Sequence, residues 1–259
     1  VSIDLTITGR VAEIVLNAPE RLNAMTDGDL TDLGSAFTQA QEAHVGALLL
    51  RGEGRAFCAG RDISNVVPAT DDATAYLSNR VTPLLRQISA FPAPTFAAAT
   101  GACLGVGLGL LIACDVVYVA DNAKIGSPFA NLGATLDSGG HALFFERLGA
   151  HRTLDLIFTA ELMSGAEAVS AGLFSRVVPE AALLEFTRER VVRASTGAIE
   201  AFVASKALVR ELRDERIGLW DSVDHENVEQ GALCKTEDYH EGFAAFQQKR
   251  PPVFRGAER

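Results

Sequence analysis

Basic residues are the scarce class in this chain: 23 Lys and Arg stand against 33 Asp and Glu in 259 residues, a net charge of -10. That balance argues against general binding to nucleic acid or to a membrane surface. An anionic ligand then needs a local basic patch. Cysteine is scarce as well. The four, at 58, 103, 114 and 234, form no CxxC pair, and no His stands at metal-ligand spacing from them. They read as reduced thiols of a cytoplasmic protein, and no metal site is expected. The opening residues, VSIDLTITGR, lack a basic start and a long apolar run, so no secretory leader is expected there. Repeats of fixed period, low-complexity segments and a G-x-S-x-G nucleophile turn are missing too. Charge itself is missing from Gln87 to Cys114, a stretch long enough to span a bilayer. Pro92, Pro94, Gly101, Gly105, Gly107 and Gly109 interrupt it, so a strand, a turn and a buried helix are the expected reading.

What is present is apolar substance: 48% of the residues are hydrophobic, enough for a sizeable core. Ile3 to Thr8 and Val11 to Leu16 alternate around Gly9-Arg10, a hairpin signal. Thr26 caps a helix whose apolar positions are Leu30, Leu33, Phe37 and Ala40. Val45 to Leu50 reads as a buried strand. Asp71 to Ser89 is helical, with Tyr76, Val81, Leu84, Leu85 and Ile88 as its apolar positions. Pro94 to Ala99 is a strand, Val106 to Ala113 a buried helix and Val116 to Ala120 a strand. From about residue 140 the pattern is almost wholly helical, over 141–148, 153–158, 166–171, 180–194, 198–213, 217–229 and 238–249. Strand and helix alternate first and helices follow, an α/β architecture. A core over residues 1–195 and a helical assembly region over 196–259 are expected.

Two glycine-rich turns stand out. GEGRAFCAGRD occupies 52–62 and GACLGVGLG occupies 101–109, and each follows a strand-like apolar run. Glycine lets backbone approach a ligand and leaves amide N–H groups free to point at it. A helix N-terminus adds partial positive charge. Two such turns converging on one oxygen stabilise negative charge there, which is the physics of an oxyanion hole. GVGLG is not a dinucleotide fingerprint, because Leu110 takes the third glycine position. Cys58 lies in the first turn; with no His near it in sequence, a buried filler is expected rather than a nucleophile.

These segments resemble the crotonase (enoyl-CoA hydratase/isomerase) superfamily over nearly the whole chain. The resemblance is carried by PERLNAM at 19–25, GEGRAFCAGRDI at 52–63, GACLGVGLGLLIACDVVYVADNAKIGSP at 101–128, LGATLDSGG at 132–140, SGAEAVSAGLFSRVV at 164–178 and EGFAAFQQKRPPVF at 241–254. It implies a spiral of ββα units with a helical C-terminal region, assembly as a trimer or dimer of trimers, and an acyl-CoA thioester as substrate. No cofactor beyond the CoA moiety is implied. The oxyanion hole falls on the backbone N–H groups of Arg61 and Val106. CoA and substrate contacts fall on Arg21, Leu22, Ala24, Ala59, Asp62, Ile63, Gly105, Pro128, Phe129 and Leu132. Lys249 and Phe243 are implied to reach the CoA of their own or a neighbouring subunit.

The chain departs from the hydratases of that family, which carry two catalytic glutamates. The matching positions here are Gly109 and Phe129. Addition of water needs a group to activate it and a group to protonate the α-carbon, so both absences argue against efficient hydration. One carboxylate remains nearby. Asp137, in LDSGG, resembles the catalytic Asp of ring-epoxyphenylacetyl-CoA and related enoyl-CoA isomerases, and also the nucleophile of the 4-chlorobenzoyl-CoA dehalogenases. The single tryptophan, Trp220, is far in sequence from the position where dehalogenases use one. The isomerase subgroup is the closer match. A hydratase with an unusual acid–base pair, a dehalogenase-like hydrolase and an inert acyl-CoA binder are the alternatives. From sequence alone, Asp137 and Ser138 also read as N-caps of the following helix, and His141 is a second candidate acid–base group.

Overall fold

The structure, a computed structural model, describes residues 2–255. A six-stranded sheet runs in the order β1-β2-β3-β4-β6-β9. Its strands are β1 (Ile3–Thr8), β2 (Val11–Leu16), β3 (Ala47–Gly52), β4 (Thr95–Ala99), β6 (Val116–Ala120) and β9 (Arg176–Val178). The β1–β2 hairpin is antiparallel and every later pairing is parallel. A second sheet of three short strands joins β5 (Ala102–Leu104), β7 (Lys124–Gly126) and β8 (Met163–Ser164).

Side chains alternate across the central strands as a period of two requires. Leu48, Leu50, Ala97, Ala99, Val117 and Val119 face one core. There they meet Leu33 and Phe37 of α1 (Asp27–Glu42), Leu84 and Ile88 of α3 (Thr82–Ser89) and Leu108 of α4 (Val106–Ala113). Leu49, Phe96, Ala98 and Tyr118 face the other, against Leu183 and Val191 of α7 (Glu180–Ser195). Burial on both faces explains the near-continuous apolar runs of these strands.

Thr26 caps α1 with a full capping box: its hydroxyl accepts from the Asp29 N–H, and the Asp29 carboxylate accepts from the Thr26 N–H. Before α3 come α2 (Ala73–Tyr76) and a π-helical turn, Leu77–Val81. α5 (Gly140–Thr159) is broken at Gly149, where φ is 74°, which matches the two separate helices that the spacing predicts. α6 (Gly165–Ser170), α8 (Ile199–Asp214), α9 (Leu219–Leu233) and α10 (Glu237–Gln247) complete the described helices.

Three expectations change. The region after residue 140 is not almost wholly helical, because β8 and β9 interrupt it and β9 closes the edge of the main sheet. The last helix ends at Gln247, so Lys249 lies beyond it in a left-handed conformation. The second glycine-rich segment does not run straight from turn to helix, since β5 intervenes. The uncharged stretch 87–114 divides into the end of α3, β4, β5 and α4, and no described helix is long and apolar enough to cross a membrane.

Candidate active site

The first glycine turn is stitched to backbone on both sides. Phe57 N–H donates to the Thr100 carbonyl at 2.7 Å, Cys58 N–H to Ala102 at 2.9 Å, and Leu104 N–H back to Cys58 at 3.0 Å. On the other side, Ala59 N–H donates to Leu22, Met25 N–H to Gly60 and Asp62 N–H to Met25. The ladder brings 21–25, 57–62 and 100–104 together. Gly60 (φ 104°) leads into Arg61, and Gly105 (φ 52°) leads into Val106 at the first position of α4. The two glycines are neighbours: a Cβ built on Gly60 would lie 3.9 Å from the Gly105 Cα. The two turns therefore converge as the sequence implied. The Arg61 and Val106 N–H groups donate no hydrogen bond among the described residues. At Val106 the N-terminus of α4 adds its partial positive charge.

Cys58 is fully buried beside this point, and burial pushes its thiol up to about 12. A Cβ on Gly107 lies 2.4 Å from the Cys58 carbonyl oxygen, so the first turn of α4 packs directly on this residue. Cys58 is a filler, not a nucleophile.

The Arg61 side chain is held in place by two neighbours. Its guanidinium makes two hydrogen bonds to the Asp71 carboxylate, at 2.9 and 2.8 Å, and lies 4.0 Å from the centre of the Tyr76 ring. Sequence reasoning placed Tyr76 only among the apolar positions of its helix. Nothing in the spacing distinguishes a phenol that packs in a core from one that abuts a site.

Asp137 is half-buried in the turn before α5, beside the buried Leu136. Burial raises its carboxyl above the ordinary range, opposed by a 2.7 Å hydrogen bond from the Ser138 hydroxyl and by the nearby His141. The N-cap of α5 is Gly139, and no side chain caps that helix. The capping roles read for Asp137 and Ser138 are therefore wrong: Ser138 (φ 53°) and Gly139 (φ 91°) turn the chain through left-handed geometry and aim both side chains elsewhere. His141 is exposed on the first turn of α5.

The two positions where hydratases carry glutamate are physically filled. A Cβ on Gly109 lies 2.6 Å from the Ser138 Cβ and 3.2 Å from Leu85. The Asp137–Ser138 turn rests where a side chain at 109 would project. The Phe129 ring covers the other turn, 2.8 Å from a Cβ built on Gly105.

Arg21 is not an ordinary solvated arginine: it donates to the Ala24 carbonyl at 2.9 Å and to Asp29 at 2.7 Å. Leu22, Ala24 and Ala59 are half-buried around the same ladder, and Ile63 is 53% exposed. Asp62 accepts from Ser64, which holds its carboxyl below the usual range. Pro128 is half-buried, whereas Leu132 is 63% exposed. Within one chain Phe243 and Lys249 are not joined to the turns: Phe243 stacks on Tyr239 at 4.4 Å, and Lys249 is an exposed residue beyond α10.

The family model described as enoyl-CoA hydratase/isomerase matches residues 6–257. A Mycobacterium bovis protein named probable enoyl-CoA hydratase echA8 is 35% identical over 246 residues, covering 95% of this chain and 94% of its own. The 2,3-dehydroadipyl-CoA hydratase of Escherichia coli is 30% identical, over 95% and 96% of the two chains. Solved structures agree in fold. Enoyl-CoA hydratase from Bacillus anthracis superposes with a TM-score of 0.89 at 27% identity, covering 98% of each chain. Enoyl-CoA hydratase from Mycobacterium smegmatis gives 0.87 at 27% identity, covering 97% of this chain and 98% of its own. The sheet of parallel strands with its many helices is the crotonase fold, and the chain belongs to the enoyl-CoA hydratase/isomerase family, an acyl-CoA enzyme of the crotonase superfamily.

Proposed function

We propose that this chain is an enoyl-CoA isomerase with Asp137 as its proton carrier. The thioester carbonyl is bound by the N–H groups of Arg61 and Val106. The Asp137 carboxylate takes a proton from the α- or γ-carbon of an unsaturated acyl chain. The electron pair of the broken C–H bond spreads through the double bond onto the carbonyl oxygen, where the two amides and the α4 terminus hold the charge. Protonated Asp137 then returns the proton at the other end, and the double bond moves. Atoms balance without water, metal or redox partner, so only the CoA moiety is required.

The observation that carries this reading is the packing at Gly109. Ser138 and Leu85 occupy the space where a hydratase glutamate side chain would extend, and the same turn presents Asp137. A carboxyl raised by burial is the stronger base for such a transfer. The names of the relatives favour a second reading, a hydratase. It requires a second acid–base group, for which His141, within electrostatic reach of Asp137, is a candidate. Turnover of a 3-enoyl-CoA by the wild type and by Asp137→Asn tests the proposal. Formation of 2-enoyl-CoA by the first alone supports it; equal rates remove Asp137 from the mechanism.

CoA is assigned to the strip formed by Arg21, Leu22, Ala24, Ala59, Asp62 and Ile63, and the acyl group to Gly105, Pro128, Phe129 and Leu132. A trimer or dimer of trimers fits the large apolar side chains left exposed in the helical region, among them Phe158 at 74%, Trp220 at 76% and Phe246 at 84%. Lys249 then reaches CoA from its own or a neighbouring subunit. Residues 196–259 serve assembly in this reading, and the four unpaired thiols suit the cytoplasm.

A further inference from the structure

Two buried hydroxyls among the described residues have no hydrogen-bond partner, Tyr76 Oη and Thr153 Oγ1. Tyr76 is the one whose ring meets a residue of the candidate site, Arg61. The residue is only 8% exposed, and the Arg61 guanidinium carbon lies 4.0 Å from the centre of its ring, the guanidinium itself held by two hydrogen bonds to Asp71. The phenol is thus fixed in place by the same residue that supplies the first oxyanion amide. The charges that it senses include those of Arg61 and Asp137. A π-helical turn follows it directly, a local irregularity that is often retained where a side chain must be aimed.

An unpaired buried hydroxyl is costly, and phenylalanine would fill the same volume without that cost. Its partner is therefore something other than the chain itself. We infer that Tyr76 Oη is a hydrogen-bond donor of the acyl pocket and that the acyl group carries an uncharged oxygen, a hydroxyl or a carbonyl, that accepts from it. Three points fix the chemical class. Burial pushes the phenol above its ordinary value, so it keeps its proton and donates. The nearby Asp137 disfavours a carboxylate on the ligand by like-charge repulsion. Arg61, the adjacent cation, is already paired with Asp71. A plain hydrocarbon chain leaves the hydroxyl unpaired; an oxygenated chain satisfies it.

The inference rests on the acyl pocket of the proposed reading, with Asp137 at its side, but not on isomerase turnover. Its test is therefore binding of saturated acyl-CoAs, which no double-bond shift can affect. Isothermal calorimetry would compare hexanoyl-CoA with its 3-, 4-, 5- and 6-hydroxy derivatives, on wild type and on Tyr76→Phe. One hydroxy isomer should bind about tenfold tighter than hexanoyl-CoA to the wild type, a gain typical of one satisfied buried hydrogen bond. Tyr76→Phe should lose that gain, so that the favoured hydroxy isomer and hexanoyl-CoA bind it alike. If no isomer gains on the wild type, the inference fails whatever the variant does. It fails equally if the gain survives in Tyr76→Phe, or if the variant weakens all five ligands alike. The wild-type series stands without the variant, and the variant keeps the ring that Arg61 packs on. Absence of isomerisation alongside the predicted binding pattern would overturn the reaction and leave the ligand class standing.

Discussion

Gly109 lies directly against Ser138, close enough that a single added carbon would sit 2.6 Å from the serine Cβ. This contact links the two departures from the hydratase pattern. The missing glutamate and the presence of Asp137 are not separate events, because the turn that presents the aspartate needs the space that the glutamate would fill.

Restoring that glutamate should therefore not restore a hydratase. Gly109→Glu is expected to push the Asp137–Ser138 turn off α4, abolish isomerisation and produce no hydration. Overpacking of this kind costs about 1–3 kcal/mol, which lowers the melting temperature by roughly 2–12 °C in a chain of this size. Melting curves and both assays on one preparation check it. Hydratase activity gained at unchanged stability would contradict the packing argument.

The pH dependence follows from Asp137. Burial, only partly opposed by Ser138 and His141, raises its folded carboxyl above the unfolded value. The base works ionised, so kcat/KM should climb through a step above the ordinary carboxylate range and then level. Stability moves the other way: the group's contribution is fully present below the unfolded pKa and is lost as pH rises through the folded one. Asp137→Asn should thus be at least as stable as the wild type at neutral pH. A neutral-pH loss of stability in that variant would mean that the ionised carboxylate is stabilising.

Arg61→Ala separates amide from side chain. The N–H remains, so the fall in kcat should stay well short of the roughly 10²–10³-fold loss that accompanies removal of an oxyanion donor. The fall should be matched by Asp71→Asn, which releases the same guanidinium. A loss of the full size in Arg61→Ala alone would show that the guanidinium itself touches the substrate.

Glu13 supports the sheet that carries the first turn. Its carboxylate accepts from Arg51 at 2.6 Å and from Arg188 at 2.7 and 3.0 Å, joining β2, β3 and α7. Burial alone would raise its pKa, but the hydrogen bonds from Arg188 and Arg51 outweigh it and lower it. This contribution is present above the unfolded pKa and is lost as pH falls through the folded one. Glu13→Gln should cost about 1–3 kcal/mol, toward the low end because the cluster is partly exposed. Urea titration at neutral and acid pH should show the difference narrowing as pH falls.

Much of this was legible in the chain. The glycines at 60, 105 and 107 announced both turns: Gly60 and Gly105 take positive φ, and Gly107 lies against the Cys58 backbone. The alternation in β3, β4 and β6 was masked by burial on both faces, yet their apolar runs still marked them as strands. β5, β7 and β8 escaped notice, since two or three residues are too few to show a period. The capping reading of Asp137 fell only when Gly139 proved to be the N-cap. Tyr76 was read as core because a helical apolar stripe counts only its ring; the unpaired hydroxyl exists only in three dimensions.

The central claim is proton transfer without addition of water. The most direct test is incubation in D₂O with a 3-enoyl-CoA and, separately, a 2-enoyl-CoA, followed by mass spectrometry and NMR. The account predicts migration of the double bond with deuterium entering the acyl chain, and no hydroxyacyl product from either substrate. Rapid formation of a 3-hydroxyacyl-CoA from the 2-enoyl substrate would contradict it.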